Sequence, residues 1–133
     1  MTDFVDSNVI VYAHDAAEPA KREQALAVLS ADNWMVSAQV LSEFFVTVTR
    51  KLAVPMSWHD ASAAIDDLSA RPVVPISSGM VARAVELAHA NQVSYWDGLI
   101  LAAAAEAGCE RVVTADLNSA QTITGIAIHN PFG

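Results

Sequence analysis

A single cysteine, Cys109, rules out any disulfide within the chain. Basic residues are scarce: seven Lys and Arg stand against fifteen Asp and Glu, a net charge of −8 and a pI of about 4.7. The broad basic composition usual in nucleic-acid binders is therefore missing. No apolar run approaches the roughly 18 residues that a bilayer span requires, since the longest candidate, Gly98 to Ala105, is short and rich in alanine. The segment Met1-Thr2-Asp3-Phe4-Val5-Asp6 lacks the basic start and apolar stretch of a signal peptide. The four histidines, His14, His59, His89 and His129, lie far apart and show no zinc spacing, so they are expected at the surface or in packing roles. Linkers, repeats and low-complexity tracts are also absent. The expectation is one cytoplasmic domain over residues 1–133 that does not engage a membrane.

What is present suffices for a core. Hydrophobic residues make up 53% of the chain and charged residues 17%, which excludes disorder as the overall state. A length of 133 residues is enough to bury a sizeable interior. The acidity has two readings: it keeps the protein soluble, or some of the acids hold divalent cations. Composition leaves both open.

Hydrophobic periodicity places the elements. Thr2 to Val5 reads as a strand that enters a helix near Ser7. Pro19, suited to a first helical turn, opens a helix to about Ala31 with Arg22, Ala25, Leu26 and Leu29 on one face. Trp34 to Ser37 reads as a strand or as an extended entry to the next helix. Ala38 to Leu52 is helical, with an apolar stripe of Val40, Leu41, Phe44, Phe45, Val48 and Leu52. Ser57 caps a helix to Ala70 that uses Ala61, Ala64, Ile65 and Leu68. Pro72 to Ile76 is a short strand whose prolines suit an edge. Helices follow over Ser78–Asn91 and Tyr95–Ala107, the second closed by Gly108. Arg111–Thr114 and Ile126–Ile128 are strands. Apolar Val46, Met80 and Val81 are left over once each helix has filled one face. Alternation of strands and helices predicts an α/β fold of three layers, a central, mostly parallel sheet flanked by helices.

In such sheets, sites form beyond the carboxyl ends of the strands, near the point where strand order reverses. Asp6 and Asp116 each follow a strand, and Asp97 opens a helix. Glu43 lies at the edge of its helix's apolar stripe, in a polar row with Gln39, Thr47 and Arg50. Each acid also has a structural reading. Asp6 suits a helix N-cap. Ser94-Tyr95-Trp96-Asp97 has the form of a capping box. Asp116 suits a turn in Ala115-Asp116-Leu117-Asn118. Glu43 suits a solvated position beside Arg50. Four such acids, three at element ends, are placed to converge on one rim of the sheet.

The order of four short motifs carries a resemblance. Phe4-Val5-Asp6-Ser7-Asn8, Ser42-Glu43-Phe44-Phe45, Ser94-Tyr95-Trp96-Asp97-Gly98-Leu99-Ile100 and Val113-Thr114-Ala115-Asp116-Leu117 resemble the four acidic motifs of PIN-domain ribonucleases. The ending, Ile126 to Asn130-Pro131-Phe132, is similar to VapC-type toxins of toxin–antitoxin pairs. Ala115 is a departure, because many relatives carry an acid there.

The resemblance implies a PIN-like fold and metal-dependent hydrolysis of RNA. Asp6, Glu43, Asp97 and Asp116 would be the catalytic acids. Asp6 and Asp97 would anchor Mg²⁺ or Mn²⁺, hard cations that prefer oxygen ligands, while Glu43 and Asp116 complete the acidic rim. Products would carry 5′-phosphate and 3′-hydroxyl ends. Ser7, Asn8 and Thr114 would support the acids by hydrogen bonds, with simple capping the other reading for Ser7, and Arg50 and Lys51 would either meet RNA phosphates or serve only as surface residues. A cognate antitoxin and a second copy of the chain are the implied protein partners. The rival within the same resemblance is a PIN-like module that binds RNA or protein without cutting. Two other Asp-after-strand families fit less well: a haloacid-dehalogenase-type phosphotransferase needs a second Asp where Asn8 stands, and a receiver domain needs a late Lys, whereas none lies beyond Lys51.

Overall fold

Phe4 and Val5 are fully buried because the strand they form, β1 (Asp3–Val5), is covered on both faces and paired on both edges. The computed structural model describes residues 2–117 and 121–133. From β1 the chain runs through α1 (Ser7–Ala13), α2 (Pro19–Leu29), β2 (Trp34–Ser37), α3 (Ala38–Arg50), α4 (Trp58–Leu68), β3 (Val73–Val74), α5 (Ser78–Asn91) and α6 (Tyr95–Glu106). It ends in β4 (Arg111–Val113), β5 (Thr122–Ile123) and β6 (Ile126–His129). The strands form one sheet in the order β3-β2-β1-β4-β6-β5. Every pairing is parallel except β5 with β6, as the alternation of elements predicts.

The order reverses at β1, which lies between β2 and β4. Val5 is level with Val113, so the residues that follow each strand, Asp6 and Thr114, emerge side by side. The ladder continues one step beyond the strands, where Asp6 N–H donates to the Val113 carbonyl at 3.0 Å.

The helices keep most of the predicted faces. On α3, Val40, Phe44 and Val48 are fully buried, while Leu41 and Phe45, with Leu52 just past the helix, pack at the margin. Ser57 caps α4 by accepting from Asp60 N–H at 3.0 Å, and Gly108 follows α6 with φ of +75°, the left-handed conformation glycine adopts without steric cost. Helix α6 is buried from Gly98 through Ala104. Its small residues permit close approach to α5: a Cβ at Gly98 would lie 2.5 Å from the Ala84 carbonyl oxygen and 3.1 Å from the Ala88 Cβ.

Three expectations are corrected. Met80 is not a spare apolar residue; it is buried at 4% exposure, one turn before Ala84 on the face of α5 that meets α6. Leu26 is 46% exposed, so the inner face of α2 rests on Ala25 and, in part, Leu29. Strand β5 has no counterpart in the sequence reading. It pairs with β6 through a two-residue turn at Thr124 (φ +56°) and Gly125 (φ +78°), a hairpin geometry that favours Asn-Gly.

Candidate active site

Asp6 caps α1 and is almost fully buried, at 4% exposure. Its Oδ1 accepts from Ser7 N–H at 2.7 Å. Its Oδ2 accepts from the Thr114 hydroxyl at 2.8 Å and from Asn8 Nδ2 at 3.5 Å. Asn8 Nδ2 also donates to Thr114 Oγ1 at 3.3 Å, and Asn8 Oδ1 accepts from Ala115 N–H at 3.1 Å. Thr114 Oγ1 in turn accepts from Asp116 N–H at 3.1 Å. This web ties the ends of β1 and β4 together and fixes the direction of the Asp6 carboxylate. The capping role and the place in the site therefore coexist in one side chain. The supporting positions expected for Asn8 and Thr114 are the ones they occupy.

Asp97 stands in the first turn of α6, where Ser94 Oγ accepts from Asp97 N–H at 3.0 Å. Asp116 follows β4 and is exposed; Asn118, the last residue of its predicted turn, lies outside the described residues. One carboxylate oxygen from each of Asp6, Asp97 and Asp116 falls within 4.8 Å of the others. Glu43 is not one of this trio. It lines the same cleft from α3 and is joined to the β1 end by Ser7 Oγ, which donates to Glu43 Oε1 at 3.4 Å.

The cleft is about 500 Å³ and is lined by five acids, Asp6, Asp15, Glu43, Asp97 and Asp116, with no Lys or Arg. The one ion pair among the described residues, Arg111 with Asp3 at 2.7 Å, involves none of them. Burial pushes the Asp6 carboxyl up to about 7, in spite of the Thr114 and Ser7 hydrogen bonds, and the nearby charges of Asp116 and Glu43 add to the rise. Glu43 is raised by burial, then by Asp116 and Asp97, with Gln39 and Ser7 opposing through hydrogen bonds. Asp97 is raised by burial and by Asp116, against its hydrogen bond with Ser94. Crowded carboxylates with no neighbouring cation resist ionising. The donors are all hard oxygens, as Mg²⁺ and Mn²⁺ prefer, so the trio fits a divalent cation of that kind.

Two wall residues escaped the sequence reading. Asp15 lies just beyond α1, where its Oδ1 accepts from Ala17 N–H at 3.0 Å, and no spacing rule separates it from an ordinary turn acid. Gln39 did carry a signal, being one turn before Glu43 in the same polar row. It is buried, its Nε2 donates to the Trp96 carbonyl at 3.1 Å, and its Oε1 has no hydrogen-bond partner. Gln39 thereby links the helices that carry Glu43 and Asp97. Of the two basic residues expected near RNA, Lys51 lines a groove beside the cleft, whereas Arg50 is exposed in the last turn of α3.

A mostly parallel sheet with a carboxylate cluster at its switch point defines an α/β protein with an acidic site. The PIN domain family model matches residues 4–122, and the chain belongs to the PIN domain family. No curated protein matches the sequence. Solved structures share the fold at low identity. A chain of a toxin–antitoxin complex from Klebsiella pneumoniae superposes with a TM-score of 0.74 at 20% identity, covering 98% of each chain. A chain of VapBC2 from Rickettsia felis, bound to a DNA fragment from its promoter, gives 0.66 at 17% identity, again over 98% of each. VapC20 of Mycobacterium tuberculosis, a toxin that cleaves the sarcin–ricin loop, gives 0.67 at 19% identity over 84% of this chain and 87% of that one.

Proposed function

We propose that this chain is a metal-dependent endoribonuclease and the toxin of a toxin–antitoxin pair. The observation that carries the reading is the trio of carboxylates from three separate elements, held within 4.8 Å in a cleft without a basic side chain. Such a cluster is costly to the fold unless a cation joins it. Asp6 and Asp97 would hold Mg²⁺ or Mn²⁺, with Asp116 completing the trio. A divalent ion held there would supply Lewis acidity toward a phosphodiester and would make a water easier to deprotonate for attack.

The chain's own residues do the rest. The Thr114–Asn8 web keeps the buried Asp6 oxygen facing the cleft, and the Ser94 cap fixes the start of α6 and so the place of Asp97. Glu43, which reaches the same cleft from α3 and is steadied by Ser7 and Gln39, would accept a proton from the attacking water. Attack of water on phosphorus with departure of the 3′-oxygen would leave 5′-phosphate and 3′-hydroxyl ends, as the resemblance to PIN-domain ribonucleases implies.

Two protein partners belong to the same reading. An acidic cleft in a chain of pI about 4.7 attracts a basic protein segment, as an antitoxin tail bearing Arg or Lys would provide. A second copy is the other partner, since Val81 and Val85 expose an apolar strip on α5 and two-fold pairing is the commonest assembly. Light scattering that gives only the 14.1 kDa mass of one chain would overturn the dimer. Among the described residues no helix is long and apolar enough to cross a membrane.

The decisive experiment incubates the protein with single-stranded and hairpin RNAs in Mn²⁺, Mg²⁺ or EDTA. Cleavage that requires the metal and is lost in Asp6→Asn is expected. Intact RNA under all conditions would refute the enzyme and leave a binding module.

A further inference from the structure

Beside the acidic cleft runs a second groove of about 550 Å³. The two share Ser7, Gln39, Glu43, Thr47 and Trp96 as a common wall. The far side is apolar, formed by Val46, Ile76 and Leu99, and it also carries Lys51. We propose that this groove is a nucleobase subsite, in which an unpaired base next to the scissile phosphate stacks on Trp96 and Lys51 meets the adjoining phosphate. The proposal rests on the ribonuclease reading and extends it to how the substrate is held.

Trp96 is 58% exposed although it is the immediate neighbour of Asp97. The ring contributes little to the core, yet its position is set. Its carbonyl is held by Gln39 Nε2 at 3.1 Å, and its ring meets Tyr95 edge-on with centroids 5.0 Å apart. An exposed aromatic face whose backbone is already fixed loses little freedom when a flat partner docks. Stacking on aromatic side chains is how proteins grip unpaired bases without needing a sequence motif. Lys51 is the only basic side chain lining either cavity, and among the described residues no carboxylate pairs with it. One aromatic face and one unpaired ammonium match one nucleotide, base and phosphate. The same lysine disfavours the basic segment expected of an antitoxin, which the five acids of the neighbouring cleft would attract instead.

The test separates RNA binding from cleavage. Trp96→Ala, Trp96→Phe and Lys51→Ala are made in an Asp6→Asn background, which keeps the RNA intact. Each is titrated against a fluorescein-labelled pool of short single-stranded RNAs, followed by anisotropy. Trp96→Ala should weaken binding about tenfold, the range found for loss of one base–aromatic stack. Trp96→Phe should hold within about threefold, since a flat ring is retained. Lys51→Ala should weaken binding and lower the salt slope by about one. Melting temperatures should stay at the background's value, because both side chains are exposed.

Trp96→Ala binding as tightly as the background overturns the subsite, and if the parent still cleaves RNA the ribonuclease reading stands. Binding that depends on Trp96 in a protein that never cleaves RNA refutes the enzyme and keeps the subsite. Loss of antitoxin binding in Trp96→Ala with RNA binding unchanged assigns the groove to protein and overturns the proposal, as does the absence of RNA binding in every chain.

Discussion

Replacing Asp6 by Asn should make the metal-free protein more stable at alkaline pH and less stable at acid pH. The fold favours protonated Asp6, whose carboxyl stands at about 7 against an ordinary 3.8. Its stabilising contribution is complete below the ordinary value, falls as pH rises through this window, and is lost above about 7. At about 1.4 kcal/mol per pH unit, the loss reaches about 4 kcal/mol. Asparagine has no charge to bury and remains a good N-cap for α1. Its amide brings one more N–H than the protonated carboxyl into a web whose acceptors, Thr114 Oγ1 and Asn8 Oδ1, are already engaged, a cost of about 1 kcal/mol. The net gain for Asp6→Asn at about pH 8 is then about 3 kcal/mol, turning into a loss of about 1 kcal/mol near pH 4. Urea melts of both chains in EDTA, across that range, read the difference directly. A parent–variant gap that does not change with pH would refute the claim that ionisation of this carboxyl burdens the fold. Repeating the alkaline melts in Mn²⁺ should stabilise the parent, because binding to the native state alone shifts the equilibrium, and should leave Asp6→Asn unmoved.

Asp97→Asn should melt in EDTA no earlier than the parent, since it removes one charge from a repelling trio, and it should lose both RNA cleavage and the response to Mn²⁺; earlier melting with cleavage intact would make Asp97 a capping residue only. Gly98→Ala should destabilise the chain by about 2 kcal/mol or more, because its Cβ meets backbone of α5 rather than a side chain that can move aside; a thermal melt checks this, and an unchanged midpoint would show that α5 and α6 separate freely. Thr124→Asn should stabilise by about 1 kcal/mol, because a β-branched residue at φ +56° is strained where asparagine is tolerated; chemical denaturation would reveal a neutral or negative change if the turn is already relaxed.

The parallel sheet and all six helices were legible because each is long or strongly patterned, or bounded by Pro, Ser or Gly in a position with one clear meaning. Strand β5 was not: two residues show no alternation, and its turn has Thr where Asn is the usual signal. Met80 and Leu26 were misjudged for a shared reason. Periodicity identifies a face but not the neighbour, and α5 turns inward the face that α6 can approach only because of Gly98 and its alanines. Three of the four acids were legible from their places at strand and helix ends, and Glu43 from its polar row beside the apolar stripe of α3. The division among them, with Asp116 beside Asp6 and Asp97 and with Glu43 outside that trio, depends on distances between elements that no local pattern encodes. Asp15 enters the cleft simply because α1 is short.

The web around Asp6 joins residues 108 positions apart in sequence. A growing chain therefore makes the Asp6 cap early, from Ser7 next door, but cannot build the acidic trio until β4 has been synthesised and has paired with β1. Throughout most of its production the polypeptide would carry the acids without their arrangement. For a protein whose proposed activity destroys RNA, the acids would therefore reach their working arrangement late, when β4 docks beside β1.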